Sequence, residues 1–124
     1  MPIKFTYDTG SEILTVKLTG LVGLQEMQSV MMEILADKTI PEDTNAIWDV
    51  SEMEFNNITL EFQQQLVEVR KQIDERRGQA KIAILSNYAL AEPLIKMYTI
   101  LSKDLRQTTK MFMTEKEARE WLSE

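Results

Sequence analysis

Residues 46–60 read Ala46-Ile47-Trp48-Asp49-Val50-Ser51-Glu52-Met53-Glu54-Phe55-Asn56-Asn57-Ile58-Thr59-Leu60, and this stretch decides the fold. Residues 46–50 are an apolar run, the pattern of a central strand covered by helices on both faces. Residues 51–57 then predict a loop, and a helical pattern opens near Thr59. A buried strand running into a helix is the unit of an α/β domain, where ligands and partners engage the crevice beyond the strand's carboxyl end. At that place the chain offers Asp49, Ser51, Asn56, Asn57 and Thr59. It has no glycine there to cradle a phosphate and no histidine to act as a base.

Working outward, Ile3, Phe5 and Tyr7 alternate with Lys4 and Thr6, and Leu14, Val16 and Leu18 alternate with Thr15 and Lys17. Both segments have period two, and Asp8-Thr9-Gly10-Ser11 supplies turn chemistry, so residues 3–8 and 11–19 predict a β-hairpin. Leu24, Met27, Met31, Ile34 and Leu35 share one helical face, and that helix should stop near Asp37, before Pro41. Phe62, Leu66, Val69 and Ile73 mark a second helix, expected to end at Gly78 after a basic last turn, Arg76-Arg77. A short buried strand follows at residues 82–85. Leu90, Leu94, Met97 and Leu101 define the expected core stripe of a third helix, with Pro93 tolerable only in its first turn. Met111, Phe112 and Met113 predict a last strand, and Thr114-Glu115-Lys116-Glu117 is a capping box for a final helix. The order is ββαβαβαβα. It implies one α/β domain over residues 1–124, a mixed five-stranded sheet of hairpin then parallel strands, covered by about four helices.

Composition removes whole classes of function. The 124 residues hold 44% hydrophobic and 27% charged residues, as in a soluble globular domain. Without cysteine or histidine there is no thiolate chemistry, no Ser-His or Cys-His nucleophile system and no imidazole ligand. No cofactor and no metal site are expected. A net charge of −6 argues against nucleic acid, which is bound by neutralising phosphates. No apolar run approaches the roughly 20 residues that span a bilayer. The opening Met1-Pro2-Ile3-Lys4 lacks a signal-peptide core, so a cytoplasmic location is expected. Acidic side chains such as Glu61, Glu68, Asp74 and Glu75 fall on helix surfaces, and Glu52 and Glu54 lack an electrophilic partner, so catalysis is not expected.

Leu14-Thr15-Val16-Lys17-Leu18-Thr19-Gly20, Ile47-Trp48-Asp49-Val50-Ser51, Lys81-Ile82-Ala83-Ile84-Leu85-Ser86 and Glu117-Ala118-Arg119-Glu120-Trp121-Leu122 come in an order and spacing that resembles the STAS domains. The chain is most similar to the SpoIIAA-like family of small bacterial proteins. The resemblance implies the STAS fold and a bacterial regulatory or scaffold role played through protein contact. Anti-anti-sigma factors of this superfamily carry an Asp-Ser-Ser-Gly run whose serine is phosphorylated. The matching place here is Asn56-Asn57-Ile58-Thr59, with neither serine pair nor glycine, so the sigma-regulatory switch is not implied. Thr59 is better suited to cap the following helix.

Ser86-Asn87-Tyr88 follows the fourth strand and should share a sheet edge with Asp49 and Asn57, because parallel strands end on one side. Asp49 suits an Asx-type bond through Ser51, and Asn87 suits a cap on the third helix. The two loops would then flank one polar crevice, for an anion or a partner. Met32, Tyr98 and Ile100 fall off the core stripes and are expected to form an apolar patch, either a subunit interface or a wall over a lipid-like ligand. Two functions follow. One is a non-catalytic domain acting through an unknown protein partner and as a homodimer. The other is a carrier or sensor that holds an apolar or amphipathic small molecule between the third helix and the sheet.

Overall fold

The computed structural model describes residues 2–76 and 78–124. Five strands, β1 (Ile3–Asp8), β2 (Ile13–Gly20), β3 (Asn45–Met53), β4 (Ala80–Leu85) and β5 (Gln107–Phe112), alternate after the hairpin with α1 (Leu24–Ala36), α2 (Leu60–Ile73), α3 (Glu92–Leu101) and α4 (Glu115–Leu122). They form one sheet in the order β1-β2-β3-β4-β5. β1 and β2 are antiparallel and every later pair is parallel, as the element order implies.

The sheet has two unequal covers. Leu14, Val16 and Leu18 of β2, Ala46 and Val50 of β3 and Ile82 and Ile84 of β4 face α1, α2 and α3 in the larger core. Ile47, Ala83 and Leu85 face the other way, onto Ala118 and Leu122 of α4. The apolar run 46–50 is therefore two-sided because both its faces are covered. α4 is seated by its capping box, in which the Thr114 hydroxyl accepts from the Glu117 amide and donates to the Glu117 carboxylate. Its last carbonyls are taken up by the sheet: Lys81 Nζ donates to Trp121 O at 3.0 Å and Asn45 Nδ2 to Leu122 O at 3.1 Å. A cation at a helix carboxyl end also complements the dipole.

The hairpin begins β2 two residues later than expected, at Ile13. The turn claims Thr9 to Glu12, and Glu12 takes a left-handed φ of 58°. Asp8 organises it, accepting from Gly10 N at 3.0 Å and from Ser11 Oγ at 2.9 Å. The Ser11 hydroxyl first, then the Gly10 amide, hold the Asp8 carboxyl below its ordinary value. Thr39 does the same for Asp37 after α1, through its hydroxyl and then its amide. Carboxyls lowered in the folded state contribute stability above their ordinary value and lose it as pH falls through the lowered one. Urea unfolding at successively lower pH should therefore show their share of the stability fading in that acid window. The Asp8→Asn, Asp37→Asn double variant should show a shallower fade.

β3 runs three residues past the expected end. β2 supplies partners for it as far as Gly20, which pairs with Met53, so residues 51–53 form strand rather than loop. The register slips between Lys17 and Thr19, leaving one extra residue in β3. Such a bulge frees an amide, and the Asp49 carboxylate takes one up, accepting from Ser51 N at 3.0 Å. Gly20 closes the segment with φ at 70° and nothing near an added Cβ. Gly20→Ala should cost about 1 kcal/mol in urea unfolding, from backbone strain alone.

The remaining differences are local. β4 starts at Ala80, and β5 starts at Gln107 because its whole length pairs with β4. Met113 lies beyond β5 and is exposed. α2 ends at Ile73 in a 3-10 turn, Asp74–Arg76, so the last-turn cations are Arg70 and Lys71. The Arg77 half of the expected basic turn lies outside the described residues. Gly78 packs against Asp43 instead of capping α2, with a Cβ there meeting Asp43 Cβ at 3.0 Å. α3 is rotated from the expected stripe: Ile95 is buried, whereas Leu90 and Met97 are exposed.

Candidate functional site

Most residues expected at the polar crevice have partners within the fold. Asp49 shares the sheet face of Ile47, away from the larger core, and its carboxylate is spent on the bulge. Ser51 belongs to β3. Asn56 is exposed, while Asn57 ties its loop to the one before α1 by donating to Val22 O at 2.9 Å. Thr59 caps α2, accepting from Phe62 N at 3.1 Å. Ser86 is buried and its hydroxyl accepts from Tyr88 N. Asn87 does not cap α3: that helix begins after Ala91, beyond a 3-10 turn, with no side-chain cap. The loops after β3 and β4 do converge, but through rings, Phe55 and Tyr88 having centroids 6.5 Å apart. Among the described residues, no group of three acidic side chains is placed to hold a metal ion.

What the fold does build lies deeper. Between the sheet and helices α2 and α3 is a cavity of about 130 Å³. Its floor is Leu14, Leu18, Trp48 and Ile84, and its walls include Phe62, Leu66, Ile95 and Tyr98. The β3 bulge contributes here, because the extra residue lets both Val50 and Met53 line the space. Trp48 is half-buried rather than fully covered, since its ring borders this cavity. A void of this size is well above the roughly 10–15 Å³ that one water needs, and a comparable apolar cavity of about 150 Å³ admits benzene.

One end of the cavity is polar. Arg70 is only 6% exposed, donates from Nη1 to the Tyr98 hydroxyl at 2.7 Å and reaches Gln107 Oε1 from Nη2 at 3.4 Å. Its guanidinium also stands 5.7 Å from the Tyr98 ring centre. Two turns earlier on α2, Gln63 donates to Leu94 O at 2.9 Å, while its buried Oε1 has no partner among the described residues. Tyr98 is therefore the wall of a cavity and not part of an outer patch. Met32 and Ile100 are exposed as expected, on α1 and α3.

The sequence hides Arg70 and Gln63, because the stripe Phe62, Leu66, Val69, Ile73 is by itself sufficient for an amphipathic α2. The residues actually buried are Gln63, Leu66, Val67 and Arg70, a face turned by one position. The available signal was two polar residues seven apart beside an apolar stripe, which only the helix phase turns into a buried pair.

Set beside known proteins, the architecture has a clear counterpart. The crystal structure of an uncharacterised protein of the DUF3478 family from Shewanella loihica PV-4, described as having a SpoIIAA-like fold, superposes with a TM-score of 0.63. The match covers 97% of this chain and 91% of that one at 17% identity. The chain has a SpoIIAA-like fold. No protein-family model and no curated protein matches its sequence. The fold resemblance read from the order and spacing of its segments is thus matched in three dimensions. Among the described residues, no helix of this SpoIIAA-like domain is long and apolar enough to cross a membrane.

Proposed function

We propose that the protein is a non-catalytic carrier or sensor that holds a small apolar or amphipathic molecule between α2, α3 and the sheet. The observation carrying this reading is the cavity of about 130 Å³ with its apolar floor and the buried Arg70 in its lining. A well-packed domain has few voids larger than a water, and a void this large costs stability unless something occupies it. The absence of cysteine suits a reducing cytoplasm, where we place it. Native mass spectrometry of freshly purified protein should show added mass that is lost on denaturation. Toluene titration should shift the emission of Trp48, which borders the cavity, and Leu66→Trp, which fills the space, should abolish the shift. An emission unchanged in wild type at saturating toluene would sink the reading.

A second reading, contact with another protein or a second copy, is favoured by the outer side of α3. Met97 and Ile100 are both exposed one turn apart, Ile100 at 59%, which puts apolar surface on the outer side of this helix beside the Glu92–Lys96 ion pair. A two-fold pair needs one self-complementary patch. Light scattering across dilution should show a dimer that Ile100→Glu dissociates; a wild-type monomer at tens of micromolar by order of magnitude would exclude it.

A further inference from the structure

We propose that the cavity selects an anionic ligand: a small amphipathic carboxylate whose headgroup pairs with Arg70 and whose apolar part lies over Trp48 and Leu66. The proposal rests on the carrier reading above and assigns the charge at its polar end. A buried cation ordinarily has an anion beside it, because removing a charge from water is costly unless it is paired. Arg70 has none. Among the described residues it makes no ion pair, and its two hydrogen bonds go to neutral oxygens.

The carboxylate that lines the same cavity, Asp74, is engaged elsewhere. It lies one turn further along α2, where its Oδ1 accepts from the Arg106 amide at 3.0 Å and its Oδ2 faces Arg106 Nε at 4.0 Å. The buried guanidinium is thus left for a group that enters from outside the chain.

The local chemistry favours a carboxylate. Guanidinium presents parallel N–H donors in a rigid planar fork that matches the two oxygens of a carboxylate. The Tyr98 hydroxyl accepts from Arg70, so its own proton remains to be donated and would reach the same headgroup. The 3.4 Å bond to Gln107 is the weaker of Arg70's two and is the one a carboxylate oxygen would replace. Volume then bounds the remainder. A space of about 130 Å³ takes about six to eight non-hydrogen atoms, a short acyl chain or one ring.

Hexanoate, 1-heptanol, heptylamine and hexyl phosphate share a chain of similar size and differ in the headgroup. Calorimetric titration of the intact protein near neutral pH should find hexanoate bound at least about tenfold more tightly than 1-heptanol, the worth of one charge-assisted hydrogen bond. Heptylamine should bind most weakly. Arg70→Met, which keeps length and apolar volume, should erase the preference for hexanoate while retaining 1-heptanol. Tyr98→Phe should lower hexanoate affinity by a smaller factor, and it tests the proposal independently if the Arg70 variant does not fold. Hexanoate bound equally by wild type and both variants, or no more tightly than 1-heptanol, overturns the anionic assignment and leaves the carrier reading standing. Tighter binding of hexyl phosphate than hexanoate overturns the carboxylate in favour of a phosphate. If none of the four binds, and toluene does not, the carrier reading itself falls.

Discussion

Trp48→Ala should lower the unfolding free energy by about 3 kcal/mol, read from urea melts with an unchanged slope. Truncating a large core aromatic removes its transfer energy and leaves a hole, together costing about 3–5 kcal/mol. Two features place Trp48 at the lower end. Its ring is half-buried, so less transfer energy is lost, and it borders a cavity that already exists, so fewer contacts are broken. Leu18, which is fully buried on the neighbouring strand, is the control. Leu18→Ala should cost a similar amount despite the smaller side chain. A loss below about 1 kcal/mol for Trp48→Ala would mean that the ring does not pack on the core.

Arg70→Met should raise the stability of the ligand-free protein by about 1–3 kcal/mol. Replacing buried ionic groups by well-packed apolar ones of similar volume is often stabilising by about 1–4 kcal/mol. Arg70 is a favourable case, since its hydrogen bonds to Tyr98 and Gln107 offset desolvation only in part and no carboxylate repays the rest. The opposing term is the set of partners left behind. Tyr98 can turn its hydroxyl toward solvent in the cavity, so that loss is small. A drop of 2 kcal/mol or more, by order of magnitude, would show that Arg70 is held for structure. A gain would show stability given up for another purpose, as sites that bind or switch commonly do.

The architecture was legible because it is written in periodicity. Alternation at Phe5-Thr6-Tyr7 and Val16-Lys17-Leu18, the two-sided run around Ile47 and the capping box at Thr114 each have one structural meaning, and they agree on one order of elements. The site was less legible, for two physical reasons. A bulge is invisible to period-two counting, so Asp49 looked like the end of a strand when it was repairing one. Helix phase is equally hidden. One position of rotation moves the core stripe from Leu94 and Met97 to Ile95 and Tyr98, and turns Tyr98 from outer surface to cavity wall. Arg70 gives no signal of its own, because a charged residue on a helix is solvated in most proteins.

The order of the sheet has a consequence for how the chain comes to be folded. Each strand pairs with the strand made just before it, so β1 to β5 are laid down across the sheet as they are along the chain. No strand waits for a later one to be inserted between its neighbours. Non-local pairing is what slows sheet proteins and exposes their edges, and here each new edge is extended by the next segment to emerge. The sheet can thus be assembled in the direction of synthesis. α4 arrives last, and with it the helical cover for Ile47, Ala83 and Leu85, bringing the two end carbonyls that Lys81 and Asn45 hold. Until it docks, Ile47, Ala83 and Leu85 lack the cover of Ala118 and Leu122, and that face of the central strands stays open to water.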